Sequence, residues 1–182
     1  MQLSYLVIDD FLNNANELRD IATRMNFPQS TQQSYFPGRN AEKAIIMKEI
    51  DNIISELVGE ELSPMPGTSH GKFRLALSDD TGSANVHIDN CHWSGMLYLT
   101  PDEHCQGGTE FYRHKATNMD HAPYSKEQLA KIGLTDYQQV WDEIIHKDTN
   151  PPENWEHLIT IPMKFNRLVL FRPWLYHNAG IS

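Results

Sequence analysis

The spacing of apolar residues along this chain changes between a period of two and one of three to four, and those changes divide it into elements. Residues 5–8 predict a short opening strand, ended by Asp9-Asp10. From Asn14 onward Leu18, Ile21, Ala22 and Met25 share one helical face, with Asn13 or Asn14 placed to cap it. Residues 28–40 are polar, with a turn at Pro37-Gly38. A second helix is predicted over 41–58, carrying Ile46, Ile50, Ile53, Ile54 and Leu57 on one side and Gly59 at the C-terminal cap position. Together these helices predict a brace over about residues 13–59, packed outside the rest.

The remainder reads as β-rich. Residues 73–78 alternate apolar and polar, and Asp80-Thr81-Gly82 signals a turn. Residues 84–90 predict a strand with Asn85, His87 and Asp89 on one face and Val86 and Ile88 on the other. Further strands are predicted over 95–100, over 108–114 after the Gly107-Gly108 break, and over 167–171, continued past Pro173 by 175–177. An insertion over about 115–152 carries two capping-box patterns, beginning at Ser125 and Thr135 and separated by Gly133. It predicts a helix pair that forms either a lid over a site or a wall covering a sheet face. With no repeat, low-complexity segment or domain boundary, residues 1–182 read as one domain, mainly β with flanking helices. The strand pattern predicts a small antiparallel barrel or jelly roll over about 70–182.

Composition narrows the functions open to this fold. A 182-residue chain, 40% hydrophobic and 21% charged, can bury a sizeable core. Its net charge of -9, without a basic stripe, argues against binding nucleic acid. The apolar runs are too short to cross a membrane, and Met1-Gln2-Leu3-Ser4 does not open a secretory signal. Cys91 and Cys105 lack zinc-ribbon or redox spacing. A cytoplasmic protein is expected.

The candidate chemistry lies at His87-Ile88-Asp89. Side chains at i and i+2 of a strand reach the same point, and a second imidazole from another strand would complete two histidines and one carboxylate. Such a triad leaves open positions on a metal, as non-haem Fe(II) oxygenases require. The tripeptide alone is a weak signal, and a strand-end pair bonded to neighbouring backbone is its plain alternative. His177, which closes the last apolar run, is the preferred third ligand, with His157 as competitor. Cys91 is expected to pack as a small apolar side chain.

The stretch 86–120, with His87-Ile88-Asp89, Met96-Leu97-Tyr98-Leu99 and Gly107-Gly108-Thr109-Glu110-Phe111-Tyr112-Arg113-His114, resembles an uncharacterised bacterial family. That family is similar to the prolyl-4-hydroxylase-like branch of the 2-oxoglutarate/Fe(II) oxygenases. Asp9-Asp10-Phe11, Pro37-Gly38-Arg39 and 165–171 through His177 extend the resemblance over nearly the whole chain. It implies a double-stranded β-helix (jelly roll, cupin-like) holding Fe(II) by His87, Asp89 and His177. It also implies the use of 2-oxoglutarate and oxygen to hydroxylate a C–H bond of an unknown substrate. In that branch a basic residue on a strand after the distal histidine pairs with 2-oxoglutarate, so the natural protein is expected to continue past Ser182 with such a strand. Within these residues Arg113 is the candidate anchor, its alternative being a structural ion pair; Arg74, Arg167 and Arg172 share that ambiguity. Two other readings stay open. One is a cupin-like, non-catalytic binding or accessory protein. The other is a non-oxidative enzyme with zinc at the same three residues.

Overall fold

The computed structural model describes residues 3–29, 36–78 and 80–181, so residues 30–35 of the polar stretch fall outside it. In chain order the elements are β1 (Tyr5–Ile8), α1 (Ala15–Thr23), β2 (Arg39–Ala44), α2 (Ile50–Val58), β3 (Lys72–Leu75), β4 (Ser94–Leu97) and β5 (Gly108–His114). After these come α3 (Lys126–Lys131), α4 (Tyr137–Val140), a π-helical turn (Trp141–Ile145), α5 (His146–Asp148), β6 (Trp155–Pro162), β7 (Leu168–Phe171) and β8 (His177–Asn178).

All four residues of β7 are buried, which requires a cover on each of its faces. Leu168 and Leu170 meet Val58 and Ile54 of α2, joined by Leu6 and Ile8. Val169 and Phe171 point the other way, against Phe111 of β5 and Ile161 of β6. The first sheet has the order β1-β7-β4 and the second β6-β5-β8, and β2 pairs with β3 separately. All pairings are antiparallel. The outer face of the second sheet contributes Trp155, while Val86, Ile88 and Tyr176 come from its neighbouring segments. Leu129, Val140, Ile144 and Ile145 of the insertion cover them. The insertion is therefore anchored on a sheet face by a buried apolar cluster, as the wall alternative expects.

Strand takes about 25% and helix about 24% of the structure, in three small antiparallel sheets with helices around them. "Mainly β" thus gives way to a mixed content, because the strands are short and the insertion is helical. The predicted helix over 41–58 is also divided. Its first residues form β2, held by β3 (Asn40 opposite Arg74, Ala44 opposite Lys72), and the helix starts at Ile50 after Glu49 in a left-handed conformation. Ala41 is buried in this ladder, so tertiary pairing outweighs local helical period. The predicted strand over 84–90 is reduced to one bridge, His87 to His177. His157 lies on the eight-residue β6. No described helix is long and apolar enough to cross a membrane.

Candidate metal centre

His87, Asp89 and His177 come together. One ligand atom from each lies within 4.8 Å of the others, a group that can hold a metal ion. His87 Nε2 is 3.8 Å from Asp89 Oδ1, and His177 Nε2 is 3.6 Å from Asp89 Oδ2. Ligand bonds near 2.0–2.2 Å put neighbouring ligands roughly 3 Å apart, so an ion would draw these side chains closer together.

Backbone bonds bring the two arms together. His87 and His177 exchange N–H···O bonds of 2.9 and 3.1 Å, and the Asp89 N–H donates to the Pro173 carbonyl at 3.0 Å. Phe111 of β5 lies opposite His177 on β8. Close approach at that edge depends on Gly107, whose φ is +68° and where a Cβ would collide with the Gly180 carbonyl. The rings of His87 and His177 sit 4.3 Å apart, with Phe36 4.2 Å from His87 and Phe171 4.7 Å from His177. Both imidazoles are about 5% exposed or less.

The hydrogen bonds also select the tautomer. His87 Nδ1–H donates to the Asn85 carbonyl at 2.8 Å and His177 Nδ1–H to the Leu175 carbonyl at 2.7 Å. A carbonyl only accepts, so in the neutral rings each Nε2 carries the lone pair and faces Asp89. Ser94 Oγ donates to Asp89 Oδ2 at 2.9 Å. Burial pulls the Asp89 pKa up, but His177, His87 and Ser94 outweigh it and hold the carboxyl below its ordinary value. The acid is thus ionised and ready to ligate.

Burial pushes the His87 imidazole down to about 4, and the His177 charge acts in the same direction. An unfolded histidine protonates near 6.5. Below that pH the unfolded chain binds a proton that native His87 refuses, so stability falls as the pH drops towards 4. For metal-free protein this group alone is expected to remove about 3 kcal/mol across that window. Urea denaturation at stepped pH checks this. His87→Gln should lack this part of the slope, and an unchanged slope would exclude His87 as its source.

Other predicted residues are placed elsewhere. Arg113 pairs with Glu156 at 2.9 Å, both at least a third exposed, which is the structural ion-pair alternative. His157 bonds Thr160 on β6. Arg167 and Lys164 both bind Asp9, holding its carboxyl below the usual range. Arg172 pairs with Glu60. Cys91 Sγ contacts Ser94 Oγ at 3.3 Å, next to the triad.

Sequence reasoning missed Ser94 and Thr149. The Thr149 hydroxyl donates to the Val86 carbonyl at 2.8 Å and accepts from the Asn85 N–H at 3.1 Å, clamping the His87 arm to the insertion. Neither residue stands in a motif, so only the folded contact reveals it.

No curated protein and no solved structure matches the chain. A model of the family of unknown function DUF6445 matches residues 2–182, and the chain therefore belongs to that family.

Proposed function

We propose that the chain is a non-haem Fe(II), 2-oxoglutarate-dependent oxygenase that hydroxylates its substrate. The observation that carries this reading is the triad, in which two buried, tautomer-locked imidazoles face one ionised carboxylate. Two histidines and a carboxylate on one side of an ion leave the opposite positions to other ligands, the arrangement suited to non-haem Fe(II). Iron and 2-oxoglutarate would supply the oxidising chemistry. The protein's own residues hold the ion, fix the ring orientation through Asn85 and Leu175, and exclude water with Phe36, Phe111 and Phe171.

We further propose that the sheets are the two walls of a double-stranded β-helix. The support is the nesting of the pairs. β5 pairs with β6; β4 and β7, outside them in sequence, pair in the other sheet; His87 and β8, outside again, pair back in the first. A two-stranded ribbon coiled on itself produces this alternation. The likeness to the prolyl-4-hydroxylase-like branch belongs to the same proposal.

Titrating 2-oxoglutarate into anaerobic, Fe(II)-loaded protein should develop a visible metal-to-ligand charge-transfer band, and oxygen should then drive consumption of 2-oxoglutarate. Protein that binds iron at the triad yet gives neither signal would be read as the non-catalytic cupin-like protein or the zinc enzyme.

A further inference from the structure

A cleft of about 280 Å³ lies between the chain start, the first residues of the insertion and the approach to β8, and no triad residue lines it. Ser4, Asp120, His121, Tyr124 and Trp174 supply its polar and aromatic lining, with the buried Arg172 beneath. That volume far exceeds what one water fills and suits a small ligand.

One wall is held by hydrogen bonds whose direction is fixed. The Tyr124 N–H donates to Gln128 Oε1 at 2.9 Å, so the other end of that amide is Nε2, which donates to His121 Nε2 at 3.2 Å. A ring nitrogen that accepts carries no proton, so the imidazole proton is on Nδ1 and is donated to Asp120 Oδ1 at 2.6 Å. The His121 and Tyr124 rings stack at 5.4 Å. Asp120 is thus tied to the wall through one oxygen, and its Oδ2 has no hydrogen bond among the described residues.

The charges at the cleft do not cancel. Arg172 is 1% exposed and its charge is matched by Glu60, while His121 in this tautomer is neutral. The half-exposed carboxylate of Asp120 is left as the uncompensated charge, in a chain of net charge -9. Such a field draws cations and repels anions. Beside the carboxylate stand Tyr124, 62% exposed, and Trp174, whose ring already meets one guanidinium at 5.0 Å. Aromatic faces attract cations, and alkylated ammonium groups exploit this most fully.

We propose that this cleft is a second binding site that takes a small alkylammonium ion, with the charge held by Asp120 and the alkyl groups packed on Tyr124 and Trp174. The site goes beyond the oxygenase reading and depends neither on the ion at the triad nor on oxidation. A primary amine and a methylated one present the same charge and alkyl surface to these residues.

Tetramethylammonium chloride, titrated into the full chain at constant ionic strength and followed by the Trp174 indole N–H signal in NMR spectra, should bind saturably. Neopentyl alcohol, of similar size but uncharged, should bind about tenfold more weakly or worse. Asp120→Asn keeps an acceptor for His121 and removes the charge; it should weaken tetramethylammonium about fivefold or more, and Tyr124→Leu about threefold or more. n-Butylammonium separates the two sources. Tighter binding than tetramethylammonium assigns the site to a primary amine donating to Asp120, and weaker binding assigns it to a methylated one. Asp89→Ala should bind tetramethylammonium within about twofold of wild type; a larger loss would place the cation at the triad and overturn the second site. The proposal also falls if wild-type protein does not bind tetramethylammonium, if neopentyl alcohol binds equally well, or if Asp120→Asn stays within about twofold of wild type. Should Asp120→Asn fail to fold, Tyr124→Leu alters only an exposed ring and decides in its place, unchanged affinity overturning the site.

Discussion

Asp89→Ala is expected to abolish high-affinity metal binding while leaving the fold standing. Loss of a mere supporting partner around a metal typically costs 10–100-fold in affinity; loss of the sole carboxylate of this triad should cost at least about a hundredfold. The arm itself stays in place because it is tied through backbone, by the Asp89 N–H on the Pro173 carbonyl and the paired His87 and His177 amides. Thermal denaturation with and without metal reads the difference. At a metal concentration about one hundred times its Kd the wild type gains about 2.7 kcal/mol, and the variant should gain almost nothing under the same conditions. Equal stabilisation of both proteins would mean that the ion sits elsewhere. Metal-free variant and wild type should unfold within about 1 kcal/mol of each other, since Asp89 is about a third exposed.

Arg172→Ala should be the most destabilising of the substitutions considered, by about 3–5 kcal/mol. Its side chain is 1% exposed and pairs with Glu60. Nε donates to the Leu3 carbonyl at 3.2 Å and Nη1 to the His92 carbonyl at 3.3 Å, and Cζ lies 4.0 Å over Trp93 and 5.0 Å from the Trp174 ring. One guanidinium thus ties together the chain start, the residue after α2 and its Gly59 cap, the segment that follows Asp89 and the approach to β8. Alanine leaves two carbonyls without a donor and a void between two indoles. Arg172→Lys keeps the charge but loses the planar stack and the fork, and should recover less than half. Equilibrium urea unfolding measures both, and a loss below about 1 kcal/mol for Arg172→Ala would show that the cluster is dispensable. Because the same contacts hold the Asp89 segment against the β8 approach, metal affinity should fall alongside stability.

Much of the centre could be read from residue order because it depends on short-range rules. His87 and Asp89 are two apart on extended backbone, which sends both side chains one way whether the segment forms a full strand or a single bridge. The apolar run of β7 and the Gly107-Gly108 break announce themselves in the same local manner. The insertion helices are legible through their caps: Ser125 accepts from the Gln128 N–H as expected, while the second cap is Asp136, one residue after Thr135.

What stayed hidden was decided by partners distant in sequence. Residues 39–44 have the composition of a helix start, yet β3 offers them a ladder that a helix would forfeit. Four arginines were equivalent as charges along the chain. Folding gave Arg113 the cross-strand carboxylate of Glu156, Arg167 the Asp9 loop and Arg172 a socket of two tryptophans, and tied Arg74 to the Pro37 carbonyl and Asn40. Local backbone geometry therefore determined which residues can ligate together. Long-range packing alone decided which histidine completes the set, because the bridge from His87 to His177 joins segments far apart in the chain.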